Sequence, residues 1–330
     1  MKANRYSSRR AAMTIALAAG VLLAQAAVAQ SWPTRPIRLL VGFAPGGGTD
    51  IVARALAPKM SELLGQQVVV DNRAGAAGTI AADLTAKAPA DGYTLLMGHS
   101  NSNAIAPFVL AKVPYDAATD FTAITYIGYV PNVLVVHPSV PAKSVAELVG
   151  IAQAKPGVYT YASSGVGSTQ HLAGALFAKL TDTQLIHVPY KGSGQAVIDL
   201  IAGQVNMNFD TMPPVLPHIV EGKLRALAIS TPQRLPQLAD VPTFNEVGIH
   251  GFDVTNWYSV MGPKYLPKEI VAKIDHAVKA ALADPAIRPK LEAQGVQFGG
   301  PQTPEEFTAF IKAELAKYQR LVKELNVKAD

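Results

Sequence analysis

Residues 37–54 read IRLLVGFAPGGGTDIVAR: an apolar run, a glycine-dense turn and the opening of an amphipathic helix. This is the strand-loop-helix unit of an α/β protein, and its turn has most of the spacing of a phosphate loop. From Gly42, four residues lead to Gly47; Gly48 stands where such a loop carries lysine, Thr49 follows, and Asp50 adds a negative charge. A turn without lysine and beside a carboxylate is poorly suited to a polyphosphate. It still offers the free N–H groups and positive dipole end of a helix N-terminus, and glycine lets a ligand approach the backbone closely.

The unit recurs along the chain. Residues 71–79, DNRAGAAGT, follow the run VVV, and residues 161–169, YASSGVGST, follow a second short apolar strand; both lead into helical patterns. The first third of the chain reads strand IRLLVGF, helix 50–64 closed by Gly65, strand QVVVDN, helix 78–87 and strand YTLLMG. The middle repeats the alternation. A helix opens at the capping box Ser144-x-x-Glu147, followed by strand VYTYA, a helix from Ser168, strand QLIHV, a helix from Ser193, strand NMNFD, a short helix after Pro214 and strand LRALAIS. A Pro-rich loop spans 231–250, the apolar segment DVTNWYSVMGP follows, and two helices over 267–283 and from Thr303-Pro304-Glu305-Glu306 end the chain.

Breaks near Pro131 and near Phe252 divide this pattern into two α/β lobes. Residues 30–131 plus 252–330 form the first and 132–251 the second, each a mostly parallel sheet flanked by helices. Two crossings between lobes imply a hinge and an interlobe cleft.

Lys2, Arg5, Arg9 and Arg10 precede an apolar stretch ending in Ala27-Val28-Ala29, which reads as a cleavable export signal over residues 1–29, processed before Gln30. Ser8-Arg9-Arg10 faintly resembles a twin-arginine signal, but the general secretory route fits better. Without the four basic residues of that segment, 25 Lys and Arg face 24 Asp and Glu, so the basic character lies in the leader and a nucleic-acid partner is not expected. No later stretch reaches the roughly 18 apolar residues of a membrane span. With no cysteine, thiol chemistry and disulfides are excluded and core burial must stabilise the fold.

Three further loops emerge at the carboxyl ends of strands, where open α/β sheets bind ligands. GHSNSNAIAP carries His99, Ser100, Asn101 and Asn103; HVPYKGSGQA carries Tyr190, Lys191 and Gly192; NFDT ends at Asp210. Enzyme readings mostly fail. Neither GHSNS nor SSGVGST is the Gly-x-Ser-x-Gly of a serine hydrolase, and Ser168 with His171 lacks an evident orienting acid. Gln170 replaces the third glycine of a dinucleotide fingerprint, and the histidines lack metal-ligand spacing, so neither cofactor nor metal is expected.

In order, WPTRPIRLLVGFAPGGGTDIVAR, VVVDNRAGAAGTIAA, YASSGVGSTQHLAGALF, HVPYKGSGQAVIDLIAGQVNMNFD and LRALAISTPQRLPQLADVPTFNEVG resemble the extracytoplasmic solute receptors of tripartite tricarboxylate transporters, the Bug family. The resemblance runs from Trp32 to the C-terminal helices. It implies a periplasmic binding protein of the two-lobed, type II-like kind, a monomer that delivers a small carboxylate to the membrane subunits of a transporter. The alternatives are a sensor presenting its closed form to a membrane signalling protein and, more distantly, a hydrolase. Carried over by motif, the ligand would meet Phe43, Ala44, Gly47, Thr49 and Asp50 in the first lobe, with Ser163, Ser164, Gly165, Gly167, Ser168 and Thr169 in the second. Ser100, Asn101, Tyr190 and Asp210 would flank it. The chain departs from the family at SNSNAIAP, where Asn103 stands in place of a frequent histidine.

Overall fold

The computed structural model describes residues 32–328, so the export-signal reading lies outside the described residues. Strands β1 (Ile37–Val41), β2 (Val68–Asn72) and β3 (Thr94–His99) pair in parallel in the order β2-β1-β3. Between them run α1 (Gly48–Leu64) and α2 (Thr79–Ala86). Strand β9 (Thr255–Pro263) joins β3 antiparallel and β4 (Phe121–Val136) joins β9 antiparallel, which closes the first lobe. In the second, β5 (Thr160–Ser163), β6 (Ile186–Pro189) and β7 (Met207–Thr211) are parallel, while β4 runs against β7 on one edge and β8 (Arg225–Ile229) on the other. In each lobe, therefore, most strands point one way and a single strand, β9 or β4, opposes them. Helices α4 (Val145–Ala154), α5 (Thr169–Leu180), α6 (Ser193–Ile201) and α7 (Met212–Val220) cover the second sheet.

The extended segment 124–139 is not interrupted at Pro131. One strand of 16 residues runs through, and what changes at Pro131 is its partner. Residues up to Pro131 pair with β9, and from Asn132 on with β7. Proline lacks an N–H for the ladder, and here it falls at the handover between two sheets, where one fewer bond is tolerated.

Local rules account for several helix ends. Ser144 accepts the Glu147 N–H while the Glu147 carboxylate takes the Lys143 N–H, and Thr303 and Glu306 repeat the arrangement before α10 (Pro304–Leu325). Helix α7 begins at Met212, ahead of the expected start after Pro214, because Pro213 and Pro214 fall in the first turn, whose N–H groups have no helical acceptor. A short helix α9 (Arg288–Ala293) and a single-turn α3 (Ala106–Val109), unread in the sequence, complete the set with α8 (Lys268–Ala283). Helix α10 buries Phe307, Ile311, Tyr318 and Val322 in one cluster with Trp257 of β9 and Leu172 of α5, and so braces both lobes.

Candidate functional site

The carboxyl ends of β1, β3, β5 and β7 converge on the cleft, and the lobes touch across it. The Ala44 N–H donates to the Lys191 carbonyl at 3.2 Å. Asn101 reaches over from the first lobe: its Oδ1 accepts the Thr169 N–H at 2.9 Å and its Nδ2 donates to Ser164 Oγ at 3.4 Å. Enclosed between them is a cavity lined by Phe43, Gly47, Gly48, Thr49, His99 and Tyr258 of the first lobe and Ser164, Gln170, Ser193 and Thr211 of the second. A water-sized sphere can place its centre in only about 10 Å³ of it, room for about one water molecule.

The first glycine turn supplies the floor. Gly47 is the N-cap of α1 and has no side chain to bond the first turn, so the Gly48 and Thr49 N–H groups find no acceptor among the described residues. Gly48 is required for space: a Cβ there would lie 2.4 Å from the Tyr258 hydroxyl and 2.8 Å from Thr211 Oγ1. The position that carries lysine in a phosphate loop thus has no room even for alanine.

Donors crowd the same space. The fully buried Tyr258 hydroxyl makes no well-aligned hydrogen bond among the described residues, although the Thr49 and Thr211 side chains stand beside it, and burial raises its pKa, keeping it protonated. His99 lies between the rings of Phe43 and Tyr258, at 5.0 and 5.3 Å. Its Nδ1 accepts the Asn101 N–H at 3.0 Å, which assigns the proton of the neutral ring to Nε2. Burial lowers its pKa to about 3, so the ring is a neutral donor at physiological pH. No lining side chain carries a charge at neutral pH.

The other sequence-predicted residues serve in different ways. The Asp50 carboxylate accepts from the Gly46 N–H, Arg54 Nε and Asn72 Nδ2, all between 2.9 and 3.0 Å, which commits it to bracing the turn. Burial works to raise its pKa, but those hydrogen bonds outweigh it and the net direction is down. Asp210, completely buried, accepts from Ser193 Oγ at 2.7 Å, Gln170 Nε2 at 3.2 Å and the Thr211 N–H at 2.7 Å. It therefore positions three lining residues, and burial holds its pKa above the ordinary value despite these bonds. Ser163 Oγ meets His187 Nε2 at 2.6 Å, behind the turn. Ser168 caps α5 by accepting the His171 N–H, and Ser100 and Thr169 both donate to Asn256 Oδ1. Gly165, at φ +129°, lets the second turn pass close to the backbone of Ala77 in the 71–79 loop. Gly167, also at positive φ, faces Ala106 and Val109 of α3. Tyr190 donates its hydroxyl to Asp199 at 2.9 Å and lines the cleft mouth with Lys191 and Gln195; burial first and Asp199 second push its pKa up to about 12.

Gly48, Gln170, Ser193, Thr211 and Tyr258 were not among the sequence candidates. In the sequence Gly48 is marked only as the position where a phosphate loop carries lysine. Gln170 and Ser193 sit at helix starts, Thr211 at a strand end and Tyr258 within β9, and only tertiary contact brings them to one cavity.

Residues 52–327 match the family described as tripartite tricarboxylate transporter family receptor. The chain is 38% identical over 317 residues to Protein BugT of Bordetella pertussis, covering 94% of this chain and 96% of that one. Among solved structures it is similar to R. palustris Rpa4515 with adipate, at TM-score 0.87 and 38% identity, covering 90% of this chain and 99% of the other. It is also similar to MatC from Rhodopseudomonas palustris with bound malate, at TM-score 0.85 and 32% identity, covering 88% and 100%.

Proposed function

The chain belongs to the tripartite tricarboxylate transporter receptor family, and on that premise we propose that it captures a small mono- or dicarboxylate in the interlobe cleft and hands it to the membrane subunits of such a transporter. One observation carries the ligand class: a buried cavity, without a charged side chain, into which the uncapped N-terminus of α1 and the neutral donors Tyr258 and His99 converge. A carboxylate is satisfied by oriented amides and hydroxyls, whereas a polyphosphate would need lysine or a metal and would meet Gly48 and Asp50 instead. The adipate and malate held by the two R. palustris proteins are of the proposed class.

The two lobes, 30–131 with 252–330 and 132–251, act as jaws on the crossing strands β4 and β9. A cavity that admits about one water is too small for a dicarboxylate, so loading parts Asn101 from Thr169 and Ala44 from Lys191, and the ligand stands between them when the jaws return. Phe43, Ala44, Gly47, Gly48, Thr49, His99 and Tyr258 on one side and Ser164, Gly165 and Thr169 on the other are the proposed contacts, and Ser100, Asn101 and Asp210 support them. The chain is exported through its N-terminal signal and works in the periplasm as a monomer.

Micromolar affinity requires about 8 kcal/mol, which several charge-assisted hydrogen bonds of roughly 1.5–3 kcal/mol each supply in a closed cleft after association costs. The test is to unfold the purified protein to strip any ligand, refold it and screen carboxylates against their neutral amides by thermal shift, with calorimetry on hits. Carboxylates should stabilise and amides should not; stabilisation by amides alone sinks the reading.

A further inference from the structure

Successive residues of β9 point to opposite faces, and the two faces do different things. Asn256 and Tyr258 face the cleft, where they meet Thr169 and the cavity. Thr255 and Trp257 face the other way, into a second cavity of about 400 Å³ behind the crossing strands. Its walls come from both lobes. Tyr126, Tyr129, Trp257 and Phe310 belong to the first, and Phe244 of the second stacks on Phe252, at the boundary between the lobes, with ring centroids 3.8 Å apart. Tyr126 and Tyr129 would ordinarily point to opposite faces of β4. The ladder slips between Tyr126 and Gly128, where Ser259 and Tyr258 are their consecutive partners, and the extra residue turns both tyrosines to this side.

At the floor of this aromatic chamber lies Glu314 of α10, only 9% exposed. Its Oε2 accepts from Trp257 Nε1 at 3.0 Å, while Oε1 has no hydrogen bond among the described residues. The nearby cation, Lys317, is closer to another carboxylate. It pairs with Asp253 at 2.9 Å and stays 3.8 Å from Glu314. Two carboxylates thus share one ammonium, and Glu314, which lines the cavity, is the more weakly paired of the two. Burial raises the Glu314 pKa, as expected of a carboxylate short of counter-charge.

We propose that this rear cavity is a second binding site, for a small organic ammonium ion held by the aromatic faces and Glu314, and that its occupancy favours closure of the front cleft. Aromatic walls with a buried carboxylate are the recognition chemistry of alkylammonium groups, and the chamber has the size of a small-molecule site. The linkage to closure rests on the front cleft being the ligand site. Because the cavity lies on the far side of β4 and β9 and is walled by both lobes, the rotation that parts the cleft brings its walls together. An occupant therefore resists opening.

The test titrates choline into the full chain by calorimetry, with 3,3-dimethylbutan-1-ol as the uncharged isostere. Choline should bind with unit stoichiometry, and the alcohol should bind at least about tenfold more weakly. Glu314→Gln, which keeps an acceptor for Trp257, should lower choline affinity by a similar factor and leave front-cleft carboxylate binding in place. Tyr129→Leu should weaken choline without altering any charge. No choline binding at tens of millimolar, equal binding of the alcohol, or choline affinity unchanged in both variants overturns the site. With a front-cleft carboxylate present, each ligand should tighten the other by the same factor; independence overturns the linkage alone. If the carboxylate screen fails, the choline titration still decides the rear site.

Discussion

Residues 42–50 and 161–169 both bring glycine and threonine, the second also serine, to the start of a helix, and their N-cap residues share a backbone geometry: φ −80°, ψ 163° at Gly47 and φ −86°, ψ 161° at Ser168. Their donors meet different fates. In the second turn, Ser168 takes the His171 N–H and the amide oxygen of Asn101, arriving from the opposite lobe, takes the Thr169 N–H. In the first, no side chain caps the helix and the amides open onto the cavity. The same sequence grammar yields one turn whose amides are open to the cavity and one whose amides are already taken by the protein's own side chains. The two turns that the family resemblance implies as ligand contacts thus differ in this closed arrangement: the first presents donors, and the second is latched by Asn101.

The largest expected effect comes from closing the open half. In Gly48→Ala the added Cβ would sit 2.4 Å from the Tyr258 oxygen and fill the cavity floor. Carboxylate affinity should fall by about 100-fold, roughly 2.7 kcal/mol, measured by calorimetry on the folded variant. Gly167→Ala is the control in the other half. At φ +81° it should cost about 1–2 kcal/mol of stability while leaving the cavity untouched. Equal affinity losses in the two variants would mean that the turns are equivalent after all.

Asn101 is the residue on which the contrast depends. Asn101→Ala strands the buried Thr169 N–H and should cost about 1–3 kcal/mol, read by denaturant unfolding. It also removes a contact that holds the lobes together, so carboxylate affinity should drop with it. A variant that binds carboxylate more tightly would show that Asn101 competes for a true second anion site.

How far the sequence discloses this arrangement depends on the range of the interaction. Strand-helix alternation, the two capping boxes and the glycine turns are local and were readable, because each is decided by residues a few positions apart. The continuity of β4 through Pro131 was not, since a proline amid apolar residues reads as a break unless the sheet handover is known. Tyr258 looked like one more aromatic in an apolar strand, and its unpaired hydroxyl has meaning only against Gly48, some two hundred residues away. The loop 231–250 read as a connector, although it contributes Phe244 to the rear cavity.

Titration offers a third comparison, because both sides of the cleft hold buried histidines. His99 flanks the first turn, while His171 and His187 stack at 3.9 Å behind the second. Burial depresses all three, to about 3, 4 and 3, and His171 adds to the shift at His187. A folded pKa below the unfolded value near 6.5 means the neutral form is favoured by folding. The stability gained is complete above pH 6.5 and is lost as pH falls from there towards 3, at about 1.4 kcal/mol per pH unit for the fully buried His99. Thermal unfolding of His99→Gln should lose less stability between pH 6.5 and 4.5 than the parent. Parallel curves would place the acid sensitivity on the second-turn pair alone.

The smallest effect is also the most direct probe of the asymmetry. A Cβ at Gly47 would meet nothing closer than 3.7 Å, and the backbone already has the capping geometry of Ser168, so Gly47→Ser should fold without strain. The new hydroxyl can accept the Asp50 N–H and give the first helix the cap that the second possesses. Replacing glycine by serine at an N-cap changes stability by only a few tenths of a kcal/mol. Affinity should nevertheless fall, because the hydroxyl oxygen turns an acceptor towards donors that the ligand needs. Denaturant unfolding and carboxylate calorimetry on the same preparation separate the two effects. Tighter binding in Gly47→Ser would show that the hydroxyl serves the ligand as a donor, and the open state of the first turn would then not be what selects a carboxylate.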